Sequence, residues 1–154
     1  MTTIYRRPTH ADIGAVVRLA ETMHNETSFH SLSFSVSKTA QEVVSCILSP
    51  TMFFEVAEKD GELVGMVAAY LSSPYFSDDL VVYDHVWYVA PVARGTMVGP
   101  KLLKHVTDWA GQMGAKAAFV TLGSDVSQER VGKLVEKLGY SRLGGYYRKD
   151  IDRG

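Results

Sequence analysis

The sequence predicts an α+β fold, in which helices flank a mixed, mostly antiparallel sheet. Two apolar, strand-forming runs, residues 53–58 and 63–70, are joined through Asp60-Gly61, a dipeptide typical of a tight hairpin turn. The complete predicted order is strand, two helices, three strands, helix, strand, helix, strand. Helical crossovers join parallel strands, whereas the hairpin joins antiparallel ones. Their combination in one chain favours a mixed sheet over a doubly wound parallel one.

The composition is that of one ordinary globular domain, residues 1–154. A net charge of −1 gives no basic field, so we expect no nucleic-acid partner. No apolar run approaches membrane length, and none follows the arginines near the N-terminus, so we expect no membrane association and a cytoplasmic location. Cys46 is the only cysteine and lies in an apolar helical run, which indicates a buried thiol and excludes a disulfide within the chain.

The first half of the chain is predicted to contain a strand and two helices before the hairpin. Ile4–Arg6 has the character of a strand, and a helix opens after it with Thr9 or Asp12 as its cap. Residues 24–34 lack the helical spacing of apolar residues, which predicts a surface loop. A second helix covers about residues 37–48 and ends before a proline. The apolar side of the first helix consists of Ile13, Val16, Val17, Leu19, Ala20 and Met23.

After the hairpin, residues 84–103 predict strand, turn and helix. Residues 86–89 are β-branched or aromatic, Pro91 ends any ladder, and Pro100 lies where a first helical turn tolerates proline. Gly114 ends this helix. Its apolar face consists of Leu102, Leu103, Val106, Trp109, Ala110 and Met113.

Three further elements complete the chain. Residues 117–122 are predicted as a strand, and residues 128–138 as a helix with Ser127 at its cap and Gly139 at its end. Tyr140 begins a final strand that two glycines interrupt. We expect the exposed tyrosines of this strand to allow pairing with a second copy, as a homodimer.

The loop after residues 86–89 suits a phosphate group. The N–H groups at the start of a helix have no intrahelical partners, and the helix dipole adds partial positive charge there. Arg94 adds a forked, charge-assisted contact. Each hydrogen bond to a charged group contributes about 1.5–3 kcal/mol, so a few of them hold a diphosphate without a metal. The alternative is an ordinary connection in which Gly95 and Gly99 only relieve turn strain.

Residues 89–99, followed by Leu102-Leu103, resemble the acetyl-CoA loop of the GCN5-related N-acetyltransferase (GNAT) superfamily, written (Arg or Gln)-x-x-Gly-x-(Gly or Ala). Arg94 and Gly99 match this pattern, and Met97 replaces its first glycine. The predicted element order is also similar to that of the family from end to end. The end of the last helix resembles the family's Tyr-x-Lys-x-Gly-Phe segment.

The resemblance implies the GNAT acyl-CoA N-acyltransferase fold and transfer of an acetyl group from acetyl-CoA to a primary amine by direct attack in a ternary complex. The acceptor is then a small-molecule or peptide amine. The loop residues hold the diphosphate, and the pantetheine arm pairs with the preceding strand. The implied cofactor-binding residues are Trp87, Tyr88, Val89, Arg94, Gly95, Thr96, Met97, Val98, Gly99 and Gln128.

Proton transfer is less well defined by the resemblance. The family often has a glutamate at the position of Tyr83, which is followed here by Asp84 and His85. His85 suits a base, because histidine is the side chain that ordinarily changes charge near neutral pH, and a structural histidine is the alternative. Strand alternation puts Tyr83 and His85 on one face and Asp84 on the other. Because Val135 stands at the position of the family's tyrosine, the proton for the thiolate comes from Tyr140, another tail tyrosine or solvent.

Acidic residues cluster in sequence near the expected acceptor side. They are Asp78, Asp79 and Asp84, with Glu21 and Glu26 facing them from the first helix. Such residues attract a cationic amine, although they more often form a solvated surface.

Two other classes of function compete with this interpretation. The changes at Met97 and Val135 also fit a catalytically weakened acetyl-CoA-binding sensor or partner module of the same fold. A nucleotide-binding α/β protein is disfavoured, because the chain has no Gly-x-Gly-x-x-Gly or Gly-Lys-Ser/Thr run. His24 and His30 lack metal-ligand spacing with a nearby cysteine or aspartate, so we expect no metal.

Overall fold

The computed structural model describes residues 2–122 and 128–151, and within these ranges five strands and four helices form an α+β fold. The strands are β1 (Ile4–Arg6), β2 (Met52–Lys59), β3 (Glu62–Ser72), β4 (Val81–Val89) and β5 (Ala117–Phe119). The helices are α1 (Ile13–Glu26), α2 (Val36–Leu48), α3 (Val98–Gln112) and α4 (Gln128–Lys137). None of the helices in the described ranges is both long enough and apolar enough to cross a membrane.

The sheet is mixed, with the strand order β1-β2-β3-β4-β5. The first three pairings are antiparallel, and β5 joins β4 in parallel after the crossover through α3. Asp60 and Gly61 both have positive φ, 53° and 80°, as a two-residue hairpin turn with the twist of a sheet requires. The predicted fold class and the predicted hairpin are therefore both confirmed.

Each face of the sheet carries its own hydrophobic core. Helices α1 and α2 cover one face, and α3 covers the other. The first core includes Val16, Val17, Leu19, Val43, Cys46, Phe54, Val56, Met66, Ala68 and Tyr88. The second includes Val64, Val67, Val82, Val98, Leu102, Val106 and Ala110. The apolar sides predicted for α1 and α3 supply most of the helical residues in these cores, and Cys46 is buried, as the sequence indicated.

The predicted final strand is wrong, because no strand is present between Tyr140 and Ile151. A tyrosine-rich segment forms a strand only beside a partner strand, and β5 contributes just three residues to the sheet. Side chains attach this segment instead. The Tyr140 hydroxyl lies 2.8 Å from Thr107 Oγ1, and Arg148 donates to Ser28 O and Ser31 Oγ. The strand expected to pair with a second copy is thus absent from this segment.

Several boundaries also differ from the prediction. Strand β4 begins at Val81, five residues before the strongest strand signal, and β5 ends at Phe119. Helix α3 begins at Val98, so Pro100 does lie in its first turn. The expected cap of α4, Ser127, lies outside the described residues.

Candidate active site

The parallel strands β4 and β5 separate halfway along β4. Their pairing runs from Val81 opposite Ala117 to Tyr83 opposite Phe119. Thr121 N–H then donates to Asp84 Oδ2 at 3.0 Å. Residues 86–89 continue to pair with β3, but have no β5 partner among the described residues. We call residues 86–89 the open edge, because backbone groups on the β5 side are available there to an extended ligand.

A β-bulge lies where the two strands separate. Ala68 pairs with Val86 and Ala69 pairs with Asp84, which leaves His85 as the extra residue. The His85 ring turns towards α2, where Nε2 lies 3.4 Å from Glu42 Oε1. Asp84 lies on the α3 side, so the predicted placement of these two side chains on opposite faces is confirmed.

Tyr83 lies neither with His85 beside α2 nor with Asp84 beside α3. Its ring stacks on Phe119 with centroids 5.1 Å apart and lies 5.7 Å from the Tyr70 ring. These aromatic contacts make Tyr83 a packing residue at the start of the gap between β4 and β5.

Asp84 and Tyr140 form a pair of titratable groups beside the gap. Helix α4 ends at Gly139, whose φ is +97°, and Tyr140 N–H turns back to donate to Val135 O at 3.0 Å. This turn places the Tyr140 hydroxyl against Thr107 of α3. Burial raises the pKa of Asp84, and it also raises the pKa of Tyr140, to which the Asp84 charge adds. Both groups are partly desolvated, which favours the neutral form of each relative to water.

The connection from β4 to α3 carries the predicted phosphate loop. A 3-10 turn, Pro91–Ala93, follows β4, and Gly95 adopts a φ of +78°. Thr96 Oγ1 donates to Ala93 O at 2.5 Å and accepts from Val98 N–H at 3.3 Å, which fixes the start of α3. Within the described ranges, the N–H groups of residues 95–97 donate to no backbone carbonyl. We call residues 94–99 the Arg94 loop.

Met97, the departure from the family pattern, does not close this loop. Its φ of −80° is ordinary for any L-residue, so no glycine is required at this position. The side chain is 61% exposed and the backbone N–H keeps its place at the helix start.

Gly99 allows α3 to approach β4 closely. A Cβ at this position would lie 3.3 Å from Val89 Cγ2 and 3.7 Å from Trp87 Cζ2. Trp87 Nε1 donates to Gly99 O at 3.1 Å, so the indole ties the helix to the strand. Val98 is buried beside it. The side chains of Trp87 and Val98 thus contribute to the packing of α3 against β4.

Arg94 is held in place by three contacts. Its guanidinium pairs with Glu26 at the end of α1, Nε donates to Val89 O at 3.1 Å, and Cζ lies 5.7 Å from the Tyr88 ring centroid. The Tyr88 hydroxyl donates to Glu26 Oε1 at 2.9 Å, and burial together with that carboxylate raises the pKa of Tyr88 to about 12. Glu26 therefore contacts Tyr88 and the Arg94 loop, whereas the sequence predicts that it faces the acidic cluster at residues 78–84.

Arg130 is a residue of the site that sequence reasoning missed. A Cβ at Gly95 would lie 3.5 Å from Arg130 Nη2, so a second guanidinium reaches the Arg94 loop from α4. Gln128, the predicted contact on the same helix, donates to Leu122 O at 3.4 Å. A cavity of about 490 Å³ on α4 is lined by Glu129, Arg130, Lys133, Leu134 and Lys137. The separation of 35 residues between Gly95 and Arg130 left no local signal for this contact.

The open edge, the Arg94 loop and the start of α3 form one continuous segment, whose backbone groups suit an extended, phosphate-bearing ligand. The profile of the Acetyltransferase (GNAT) family matches residues 19–140 of the sequence. The chain therefore belongs to the GNAT family, and its resemblance to that family is confirmed.

Known proteins agree with this assignment. The uncharacterized N-acetyltransferase YhfO of Bacillus subtilis (strain 168) is 31% identical over 91 residues, a match that covers 59% of this chain and 60% of that relative. An aminoglycoside acetyltransferase, HMB0005, from an uncultured soil metagenomic sample superposes with a TM-score of 0.72 at 17% identity, covering 99% of this chain and 100% of that one. A predicted acetyltransferase from Clostridium acetobutylicum, solved with acetyl-CoA, has a TM-score of 0.77 at 12% identity, covering 97% of this chain and 96% of that one.

Proposed function

We propose that this protein transfers the acetyl group of acetyl-CoA to a primary amine of a small molecule or peptide by direct attack in a ternary complex. The observation that carries the proposal is the open edge of β4 running into the Arg94 loop. Together they offer a strand for an amide-containing arm and N–H donors for a diphosphate within one continuous segment. The Clostridium acetobutylicum structure, which has the same fold and contains acetyl-CoA, supports this choice of ligand.

The residues present fit the coenzyme. The N–H groups of residues 95–97 and the helix dipole at the start of α3 favour the binding of an anion. Arg94 and Arg130, which both lie near Gly95, add positive charge. Pantetheine amides pair with the open edge, where a backbone N–H also receives the thioester oxygen as its negative charge develops. Gln128, which donates to Leu122 O, is included among the proposed coenzyme contacts from the family resemblance alone.

Proton transfer is assigned to Asp84 and Tyr140. A lysine-like amine has a pKa of about 10.4, so it must lose a proton before it attacks the thioester carbonyl. Asp84 accepts this proton directly or through water, and its desolvation strengthens it as a base. When the carbon–sulfur bond breaks, Tyr140 donates a proton to the thiolate of CoA, and the second proton lost by the attacking nitrogen returns the phenolate to its protonated form, directly or through water. Tyr140 thus takes the role that Val135 cannot perform, which favours an enzyme over a catalytically weakened sensor.

A covalent route through the cysteine is disfavoured. Cys46 is 4% exposed, and burial raises the pKa of its thiol to about 11. The thiolate is the nucleophilic form, and it is scarce under these conditions at neutral pH. Direct transfer of the acetyl group from acetyl-CoA to the amine, with both substrates bound, is therefore the route that we propose.

A panel of primary amines, incubated with the protein and acetyl-CoA, tests this function by release of free CoA thiol. We expect amine-dependent thiol release for at least one class among aminoglycosides, polyamines, amino acids and peptides. Tight acetyl-CoA binding without thiol release for any amine would instead indicate a sensor module. Absence of acetyl-CoA binding would refute both interpretations.

A further inference from the structure

Three potential metal ligands converge between α2 and the bulge of β4. Cys46 Sγ lies 3.8 Å from Glu42 Oε1, and His85 Nε2 lies 3.4 Å from the same oxygen. The three donor atoms all fall within 4.8 Å of one another. The proposed acetyl transfer uses none of these three side chains.

The fold explains why these residues meet. Glu42 and Cys46 are four residues apart on α2, so they lie on the same side of that helix. His85 is the extra residue of the bulge, and bulges commonly redirect a side chain in this way. Glu42 and Cys46 lie on a helix that packs on the sheet through β2, and His85 lies within β4 of the same sheet, so their arrangement does not depend on a mobile loop.

The site has a closed base and an accessible opening. Cys46 is buried at the base, whereas the side chains of His85 and Glu42 are 43% and 57% exposed. A hydrated cation therefore reaches the carboxylate and imidazole first and the sulfur last. This order supplies the entry path that a metal site requires.

The donor set matches zinc-like ions. Zinc is bound by thiolate at about 2.3 Å, by imidazole nitrogen at about 2.0–2.1 Å and by carboxylate oxygen at about 2.0–2.2 Å, in a tetrahedron. Ligand atoms of such a tetrahedron are separated by about 3.3–3.6 Å. The two distances to Glu42 Oε1, 3.4 and 3.8 Å, are already close to this range. A thiolate and a carboxylate also balance the charge of a divalent ion.

We propose that Glu42, Cys46 and His85 bind a divalent transition-metal ion of the zinc class, with the fourth coordination position open to solvent. A metal on His85 Nε2 occupies the lone pair that a base needs. The site therefore gives His85 a ligand role in place of the proton-transfer role that the sequence suggested. This inference does not depend on the acetyl-transfer activity.

Cobalt titration of the reduced, full-length protein is the test, because Co²⁺ occupies zinc sites and its thiolate bond absorbs in the near ultraviolet. We expect one Co²⁺ per chain with this thiolate absorption, and displacement by Zn²⁺. Glu42→Gln and His85→Gln, at accessible positions, each weaken Zn²⁺ binding at least about tenfold in competition with a chromophoric chelator. Cys46→Ser abolishes the thiolate band. His10→Ala, at an exposed position outside the site, leaves Zn²⁺ affinity unchanged.

Two results would overturn the proposal. One is the absence of thiolate absorption in wild-type protein under saturating Co²⁺, which would mean that the three residues form only a hydrogen-bonded cluster. The other is Zn²⁺ binding that Glu42→Gln and His85→Gln leave unchanged, which would place the ion elsewhere. Since both substitutions keep the volume of an exposed side chain, circular dichroism suffices to show that they fold.

Discussion

Arg94 illustrates how a surface ion pair contributes more to orientation than to stability. Its side chain is 42% exposed and that of Glu26 is 27% exposed, and pairs this accessible contribute little to folding. The Val89 carbonyl and the Tyr88 ring nevertheless fix the guanidinium beside the loop. In the proposed complex, a coenzyme diphosphate would compete with Glu26 for a guanidinium that is already in position.

Arg94→Ala tests this role. We expect acetyl-CoA affinity to fall about ten- to hundredfold, since a charge-assisted hydrogen bond contributes about 1.5–3 kcal/mol. Isothermal titration calorimetry measures the change. Arg18→Ala, which removes an exposed arginine from the middle of α1, serves as the matched control and keeps wild-type affinity. Equal affinities for the two variants would remove Arg94 from the site.

Tyr140→Phe tests the proton donor. Removal of the hydroxyl lowers kcat by about 10²–10⁴-fold, with little change in KM for acetyl-CoA. The control is Thr107→Val, which removes the partner of the hydroxyl at 2.8 Å but keeps the phenol, so it lowers kcat far less. Steady-state thiol release with the best amine measures both. A Tyr140→Phe enzyme with wild-type kcat would show that solvent protonates the thiolate.

The ion pair between Asp12 and Arg6 predicts how the free energy of unfolding changes in acid. Hydrogen bonds from Arg6 lower the pKa of Asp12 from 3.8 to about 2. Because the folded pKa lies below the unfolded one, the stabilisation is complete above about pH 4 and is lost as the pH falls towards 2. Partial exposure of Arg6 screens the pair, so we expect a loss of about 1 kcal/mol.

Urea unfolding of wild type and Asp12→Asn at pH 7 and pH 3 measures this effect. The variant should be less stable at pH 7 and should lose less stability on acidification than the wild type. Asp78→Asn, at an exposed position, should keep the wild-type dependence on pH. The same acid loss in Asp12→Asn and wild type would assign the effect to other carboxylates.

At the scale of elements, the contact between α3 and β4 holds the Arg94 loop beside the open edge. Gly99→Val introduces side-chain atoms where a Cβ alone lies 3.3 Å from Val89 Cγ2. Overpacking of this kind costs about 1–3 kcal/mol. Gly111→Val is the matched control on the same helix, because a Cβ there meets nothing within 4 Å. Urea unfolding should show a clear loss for Gly99→Val alone, and equal stabilities would mean that the helix start yields without cost.

Local patterns predicted most elements because each signal lies within a few neighbouring residues. The Asp60-Gly61 hairpin, the apolar side of α1 and the Arg94 loop are examples. The strand predicted at Tyr140 failed because alternation alone cannot supply a partner strand. The bulge at His85 was also invisible, since a register shift is set jointly by β3 and β4.

The site could be predicted only where it is continuous in sequence. Arg94 and Gly99 follow from spacing, whereas Glu26 lies 68 residues from Arg94 and reaches it only in the folded chain. The pairing of Asp84 with Tyr140 likewise depends on how α4 ends against α3. Such contacts between distant residues leave no periodicity to detect.

In the whole molecule, the two cores hold the sheet rigid on both sides of β4 while its final residues remain an open edge. The α3 face then presents Asp84 and Tyr140, the α2 face presents the proposed metal ligands, and the Arg94 loop reaches the α1 side through the pair of Arg94 with Glu26. The acetyl-transfer proposal therefore draws on residues on both sides of β4, whereas the metal proposal is confined to the α2 side. Membership of the GNAT family agrees with the first and says nothing about the second.

The most direct test of the central proposal is a two-dimensional ¹H–¹⁵N NMR titration with acetyl-CoA. We expect saturable changes at one equivalent of ligand, largest at the amides of residues 87–89 and 95–99, since these groups pair with pantetheine and diphosphate. Arg94→Ala should require more ligand for the same changes. Unchanged amides in these two segments at saturating acetyl-CoA would contradict the account.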